Sequence, residues 1–159
     1  MQLNYLNNLI VIITIMSELV FYNSKFGLNV KHKQNNILSP LCLNCFCECQ
    51  KSIYKDNNNY YIDIKIKDEF FDLICSYDKQ CTKQLNNYIN SLSKDVMKIK
   101  LPYRYKKIET IFKDNNDLYI TSSDIKEKDS LYVVLICNSI WDFNNTHGMV
   151  WKTNLIKKL

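Results

Sequence analysis

An alternation of apolar and polar side chains with a period of two runs through residues 41–49 and again through residues 60–67. Because successive side chains of a strand point to opposite faces, each stretch predicts a strand with one buried face. The residues predicted to share the inward face are Leu41, Leu43, Cys45, Cys47, Cys49, Ile62, Ile64 and Ile66. The polar loop KDNNN separates the two stretches, so together they predict a hairpin.

The period then changes to that of a helix. Apolar residues follow one another at spacings of three or four: Phe70, Ile74, Tyr77, Cys81, Leu85, Tyr88 and Leu92. Such spacing forms one stripe of an amphipathic helix. The sequence therefore predicts one long helix over about residues 68–92, with Asp68 as its N-cap.

Further strands are predicted on both sides of this helix. Residues 19–32 favour a strand interrupted by a bulge or turn at Gly27, and residues 118–122 favour a short strand. The continuous apolar run at 131–137 is typical of a central strand. Residues 148–159 predict a strand that pairs with it across the turn NNTHG.

Strands, one long helix and further strands are the order expected of a small α+β domain. The simplest arrangement is a mainly antiparallel five-stranded barrel with the helix between two of its strands. A chain of 159 residues, 47% of them hydrophobic, can fill one core but not two. We expect a single domain over residues 16–159, and the second methionine, Met16, suggests that residues 1–15 form an extension outside the fold.

The composition points to a class of genome and, weakly, to a class of partner. Lysine outnumbers arginine twenty to one and alanine is absent, which indicates an A/T-rich genome such as that of a parasite or a large DNA virus. The formal net charge of +5 favours polyanions as partners without requiring one. The apolar run at residues 9–16 is too short to span a bilayer, so no membrane association is expected.

The cysteines predict a compartment and leave one metal site open. An odd number, seven, and no basic region before the apolar run favour an intracellular, reducing compartment with free thiols. Cys42 and Cys45 have the CxxC spacing of half a zinc site, which Cys75 and Cys81 would complete. The alternative, which we favour, is that these thiols are small hydrophobes of the core and that no metal binds.

No motif of an enzyme class occurs in the sequence. There is no GxGxxG, GxxxxGK[ST], HExxH or GxSxG pattern, and two glycines leave little material for a loop that cradles phosphates. We therefore expect no catalytic activity and no cofactor.

Basic and aromatic residues cluster in KIKLPYRYKK, residues 98–107. Cationic side chains neutralise phosphates, and aromatic rings offer faces on which unpaired bases stack. The candidates for binding a single-stranded nucleic acid there are Tyr103, Arg104, Tyr105, Lys106 and Lys107. The alternative is a solvated, lysine-rich edge whose tyrosines pack inward.

The stretch IWDFNNTHGMVW, residues 140–151, contains both tryptophans of the chain. Trp141 and Phe143 share a strand face near the turn, where burial is difficult, so they are candidates for base stacking. Trp151, on the return strand, is equally well explained as part of the core. His147 lies within the predicted turn, and we expect its side chain to be exposed.

This closing pattern resembles the C-terminal hairpin of OB-fold single-stranded DNA-binding proteins encoded by large DNA viruses. It consists of an apolar strand, Ile-Trp, an Asn-rich turn, Gly148, Trp151-Lys152 and a final basic strand, and the preceding LPYRYKK is similar too. The likeness covers about the last sixty residues, and the N-terminal half through strand order. It implies an OB-like barrel and places Trp141, Trp151 and Lys152 at positions of the family pattern. The cysteine-rich strand lies outside that pattern.

These observations predict a non-enzymatic, sequence-tolerant single-stranded DNA-binding protein of a viral replication or recombination apparatus. It would act in the host nucleus or at a viral replication site, on DNA rather than RNA, with other replication proteins or a second copy of the chain as further partners. The residues expected to bind are Tyr103, Arg104, Tyr105, Lys106, Lys107, Trp141, Phe143 and Lys152. One rival is a viral structural or host-interaction protein that uses the same fold as a protein-binding scaffold. A second, weaker rival is a small zinc-bearing transcription factor.

Overall fold

The computed structural model describes residues 18–159. The expectations for residues 1–15, and for a domain start at residue 16, lie outside the described residues. The elements of the described part are β1 (Glu18–Ser24), β2 (Gly27–Gln34), β3 (Ile37–Ser39), β4 (Leu41–Asp56), β5 (Asn59–Ile66), α1 (Asp68–Gln84), β6 (Leu92–Ser93), β7 (Val96–Leu101), β8 (Tyr103–Arg104), β9 (Lys107–Ile108), β10 (Ile111–Lys113), a 3-10 helix (Ser122–Asp124), β11 (Ser130–Phe143) and β12 (Thr146–Lys158).

Five strands close into a barrel in the order β4, β5, β7, β12 and β11, with β11 pairing back onto β4. The predicted α+β fold, an OB-like five-stranded barrel with one helix, is confirmed. The barrel is mixed rather than purely antiparallel, because β7 and β12 run parallel where Lys100 pairs with Lys152. Parallel neighbours need a long connection, which here takes the chain through β8 to β11.

The barrel interior is filled by alternate residues of its strands. Of the eight residues predicted to point inward on β4 and β5, seven are at most 3% exposed, and Leu43 is partly buried. On β7, Met97, Ile99 and Leu101 are fully buried beside them. Since neighbouring residues of a strand face opposite sides, Lys98 and Lys100 must point to the outside of the barrel.

The helix is shorter than its apolar stripe predicted. It begins at Asp68, with Lys67 rather than Asp68 in the N-cap position, and ends at Gln84 instead of near residue 92. The last stripe residues, Leu85, Tyr88 and Leu92, still pack against the core, but from an extended segment. The cause is tertiary: the backbone of this segment bonds to His147 of β12, and the hydroxyl of Tyr88 donates to Asp78.

Of the two alternatives predicted for the interruption at Gly27, a bulge or a turn, the structure shows the turn, and the chain turns back on itself there. β1 and β2 form an antiparallel hairpin in which Ser24 pairs with Gly27. Gly27 has a φ of +117°, a conformation that side chains rarely adopt, so the glycine marks a turn and not a bulge.

Two further local predictions are corrected. Residues 118–122 do not form a strand: Tyr119 makes a single bridge to Lys113, and the Asp114 carboxylate accepts hydrogen bonds that hold the preceding loop. The closing turn consists of Asn144 and Asn145, both at positive φ, so His147 and Gly148 belong to β12. Within residues 18–159, no helix is long and apolar enough to cross a bilayer.

Candidate nucleic-acid interface

A groove of about 660 Å³ crosses the outer face of β5 and β7. Tyr61 of β5 and Lys98 and Lys100 of β7 line it. Asn57, at the turn between β4 and β5, and Trp141 and Phe143, near the turn between β11 and β12, also line it. We call this surface the main groove.

Strand register brings basic and aromatic side chains together on this face. Tyr54 is paired with Tyr61, and Tyr61 in turn with Lys100. The two tyrosine rings lie 6.0 Å apart between centroids. The ammonium of Lys51 lies 4.0 Å from the Tyr54 ring centroid, and that of Lys98 lies 4.1 Å from the Tyr61 centroid. Rings and ammonium groups therefore alternate across the face.

Two hydrogen bonds hold the edge of this array in place. The Tyr54 hydroxyl donates to the Asp63 carboxylate at 2.8 Å, and Lys98 donates to Asp56 at 2.8 Å. Burial and the bond to Asp63 raise the pKa of Tyr54, so the phenol stays neutral. Lys98 is partly neutralised by its carboxylate partner.

Lys100 and Lys152 are different, because their charges are not balanced. They pair across the parallel β7–β12 contact, and neither ammonium group has a hydrogen bond or an ion pair with another described residue. Burial lowers the pKa of the Lys100 ammonium, and the positive charge of Lys152 lowers it further. An anion bound beside this pair would relieve the repulsion between the two charges.

Trp141 and Phe143 rise from the tip of the β11–β12 hairpin. Their side chains are 36% and 72% exposed. Trp141 pairs across the hairpin with Gly148, and its indole occupies the space that a β-carbon on Gly148 would fill. Two large rings with free surface thus stand beside the basic face, as base stacking requires.

The segment 89–91 forms a wall of the main groove, beside the β5–β7 face and the β11–β12 hairpin. A buried hydrogen-bond network holds this segment in place. Trp151, 3% exposed, donates from Nε1 to the hydroxyl of Ser91 at 2.9 Å. The backbone N–H of Ser91 donates to both carboxylate oxygens of the buried Asp78, and the Tyr88 hydroxyl donates to the same group at 2.6 Å. Trp151 therefore anchors the groove wall rather than offering a free ring.

His147 contributes to the same wall, contrary to the prediction of an exposed turn residue. Its Nδ1 lies 2.7 Å from the carbonyl oxygen of Asn86, and its Nε2 lies 3.6 Å from Asp142. Its side chain is 17% exposed. The imidazole ties the segment after α1 to the β11–β12 hairpin.

The predicted cluster at residues 103–107 lies elsewhere on the barrel. It forms the β8–β9 hairpin, whose turn residues Tyr105 and Lys106 have positive φ. Tyr103 packs on Tyr60 with 4.9 Å between ring centroids, and Tyr105 is 92% exposed. Lys106 and Lys107 help line a separate cleft of about 390 Å³.

The eight predicted site residues are thus divided between places. Trp141 and Phe143 line the main groove, whereas Lys152 does not line it but pairs with Lys100, which does. Tyr103, Arg104, Tyr105, Lys106 and Lys107 form the separate hairpin, where Arg104 lies 3.8 Å from Glu109. Sequence reasoning missed Tyr54, Tyr61 and Lys51, and it noted Lys98 and Lys100 without selecting them. The period-two pattern of β5 placed Tyr61 on the outer face and was the signal available.

The four cysteines of the alternative zinc site are not brought together. Cys42 is exposed and Cys45 is buried, because the CxxC spacing in a strand sends the two thiols to opposite faces. Among the described residues, no group of three His, Cys, Asp or Glu side chains is placed to hold a metal ion. Burial raises the pKa of Cys81 to about 12, which keeps that thiol protonated.

The fold and the site together define a structural class, the closed OB-like barrel. Its aromatic and basic groove crosses the second and third strands of the barrel, β5 and β7. In OB folds this is the face on which oligonucleotides bind. No protein-family model matches the sequence, and no curated protein matches it significantly.

Solved structures are similar to this one. The single-stranded DNA-binding protein from bacteriophage Enc34 superposes with a TM-score of 0.54 at 10% sequence identity, covering 89% of each chain. The same phage protein in complex with single-stranded DNA gives a TM-score of 0.51 at 10% identity, covering 89% of this chain and 95% of that chain. At this identity the likeness shows a shared fold.

Proposed function

We propose that this protein is a non-enzymatic, sequence-tolerant single-stranded DNA-binding protein of a viral replication or recombination apparatus. The observation that carries the proposal is the unbalanced pair Lys100 and Lys152 beside the exposed rings of Trp141 and Phe143. This arrangement matches the two parts of a single strand, its phosphates and its unpaired bases.

In the proposed mode, bases stack on Trp141 and Phe143, and on the Tyr61 ring at the groove floor. Each stacked base contributes about 1–3 kcal/mol, without preference among bases because every base has a flat face. Lys98, Lys100 and Lys152 contact the phosphates. Since the contacts read neither base edges nor a duplex groove, binding is expected to tolerate any sequence.

Two further observations support this function. The phage protein that shares the fold is a single-stranded DNA-binding protein, and one of its structures contains single-stranded DNA, which favours DNA over RNA as the ligand. The lysine-rich, alanine-free composition fits a virus with an A/T-rich genome. The proposed location is intracellular and reducing, in the host nucleus or at a viral replication site, where seven free thiols persist.

A fluorescence titration with oligothymidylate tests the proposal. Stacking on Trp141 is expected to quench tryptophan emission, and log affinity is expected to fall linearly with log salt, with a slope of about −0.7 per phosphate contacted. Duplex DNA of the same length is expected to compete poorly, because its bases are not free to stack. No quenching and no salt-sensitive binding would reject the proposed function.

A second candidate function has one observation in its favour. Phe26, Ile37 and Leu38, on the β1–β3 sheet, are 86%, 69% and 53% exposed, as anchors for a protein partner would be. In that case the chain would be a structural or host-interaction protein. Recovery of one stoichiometric protein partner from infected cells, unaffected by nuclease and lost on Phe26→Ser, would favour it.

A further inference from the structure

A second cleft, of about 540 Å³, lies between α1 and the segment that follows it. Its apolar side chains are Phe71, Cys75 and Leu92, and its basic side chains are Lys79, Lys83 and Lys94. None of the predicted nucleic-acid-binding residues lines it. We call this surface the helix cleft.

The charge of the helix cleft is positive and unbalanced. Lys79, Lys83 and Lys94 are exposed, and no hydrogen bond or ion pair joins their ammonium groups to another described residue. The carboxylate that lines the cleft, Asp78, is 4% exposed and already accepts bonds from Tyr88 and Ser91. The three ammonium groups are therefore free to contact an anion.

One more carboxylate lies nearby and does not neutralise the lysines. Asp72 is exposed on the same helix. Burial raises the pKa of the Cys75 thiol, Asp78 and Asp72 raise it further, and Lys79 lowers it. Asp72 is not among the residues that line the cleft. Its side chain makes no ion pair with a described lysine.

The lysines are spaced along a path rather than around a point. Lys79 and Lys83 are one helical turn apart, about 6 Å along the axis of α1. Lys94 belongs to the segment that forms the opposite side of the cleft. A row of cations suits a chain of phosphates better than it suits a single small anion.

The helix cleft adjoins the main groove. Asn90 lines both, so the segment 89–94 is a ridge with one surface on each side. The bonds from Ser91 to Asp78 and from Trp151 to Ser91 hold this ridge in position. A strand that leaves the main groove past Asn90 meets the helix cleft next.

We infer that single-stranded DNA bound in the main groove crosses Asn90 and continues along α1, where Lys79, Lys83 and Lys94 contact its phosphates. The inference rests on the proposed function and extends its footprint. Phe71 and Leu92 provide an apolar surface on which a base can rest. An oligonucleotide long enough to span both surfaces therefore binds more tightly than one that fills the main groove alone.

The test compares two lengths of oligothymidylate, about 5 and about 16 nucleotides, within the range of site sizes known for OB folds. The variant is Lys79→Gln with Lys83→Gln, which removes two charges from α1 without loss of helix propensity. The matched control is Lys126→Gln with Lys128→Gln, exposed lysines of the turn before β11 that line neither surface.

For the long oligonucleotide, the α1 variant is expected to lose roughly fivefold to twentyfold in affinity at low salt, and its salt slope is expected to fall by about 1.4. For the short oligonucleotide, the α1 variant should have the same affinity as the unmodified protein. The control variant should have the same affinity as the unmodified protein for both lengths. An equal loss at both lengths, or the same loss in the control, overturns the inference and leaves the proposed function intact.

Failure of the unmodified protein to bind either length rejects the proposed function, and the inference with it. Binding of polyglutamate that is lost in the α1 variant, while the long oligonucleotide is unaffected, would assign the cleft to an acidic protein partner and overturn the inference.

Discussion

The indole of Trp141 lies against Gly148, its partner across the β11–β12 hairpin, in the space where any other residue would carry a β-carbon. Gly148 has no positive φ, so the backbone does not require glycine there. Glycine is required there by the packing of the Trp141 indole. The glycine thus sets the position of one of the two rings exposed beside the main groove.

Replacing Gly148 with alanine is therefore expected to displace Trp141 and weaken binding of oligothymidylate by a substantial part of one stacked base, about 1–3 kcal/mol. A fluorescence titration of the variant with oligothymidylate measures this loss of affinity. Gly27→Ala is the control: its positive φ predicts a stability loss of roughly 1 kcal/mol with unchanged binding. Unchanged binding in Gly148→Ala would show that the indole position does not matter.

The two tryptophans are expected to separate binding from stability. Trp141→Ala should lower affinity with little change in the free energy of unfolding, because the ring is partly exposed. Trp151→Phe keeps a buried ring but removes the hydrogen bond to Ser91, so it should cost about 1–2 kcal/mol in chemical denaturation. A large stability loss in Trp141→Ala would contradict this division.

Lys100 is expected to make binding sensitive to alkaline pH. Burial and Lys152 lower its pKa, so as pH rises it loses its charge before an ordinary lysine does, and the phosphate contact weakens. Binding should then be accompanied by proton uptake, since a phosphate favours the charged form. Lys100→Arg, which stays charged, should flatten the pH profile of affinity.

The same substitution at Lys98, which is exposed and ion-paired with Asp56, is the matched control and should leave the profile unchanged. Identical pH profiles of affinity for the unmodified protein and the Lys100→Arg variant would contradict the prediction.

Asp78 is expected to hold the wall of the main groove. Asp78→Ala would leave the buried N–H of Ser91 and the hydroxyl of Tyr88 without their acceptor, at a cost of roughly 2–4 kcal/mol in the free energy of unfolding. Asp72→Asn, on the exposed side of the same helix, should change it by less than about 0.5 kcal/mol. Urea denaturation of the two variants measures and compares their free energies of unfolding.

Thiol reactivity is expected to follow burial. Cys42 is exposed, whereas burial raises the pKa of Cys81 and of Cys137 to about 12. An aromatic disulfide reagent should therefore label Cys42 quickly in the native protein and the remaining thiols after denaturation. A zinc chelator should leave the thermal midpoint unchanged. Protection of Cys42 that the chelator abolishes would restore the zinc hypothesis.

Several parts of the fold followed from local patterns. The inward residues of β4 and β5, and the contact of the apolar stripe with the core, were predicted because alternation and helical spacing are properties of neighbouring residues. The residue at which α1 ends was not predicted by these local patterns. Leu85 and Tyr88 continue the helical spacing, but bonds from this segment to Asp78 and His147 pull it out of the helix.

The candidate site was predicted in part for the same reason. Trp141 and Phe143 were selected because the sequence placed them near a turn, and Lys152 because of a family resemblance. The cluster at residues 103–107, chosen for its composition, lines a cleft away from the main groove. Composition reveals that charge and rings are present, but not which face of the barrel they occupy.

Side-chain direction along each strand is encoded locally, since the pleat alternates regardless of what the strand pairs with. The meeting of Lys100 with Lys152, of Tyr54 with Tyr61, and of Trp141 with Gly148 depends instead on strand register. Register is set by the closure of the whole barrel and by the core it buries. Residues far apart in the chain come together on one candidate surface through that closure, which no local pattern contains.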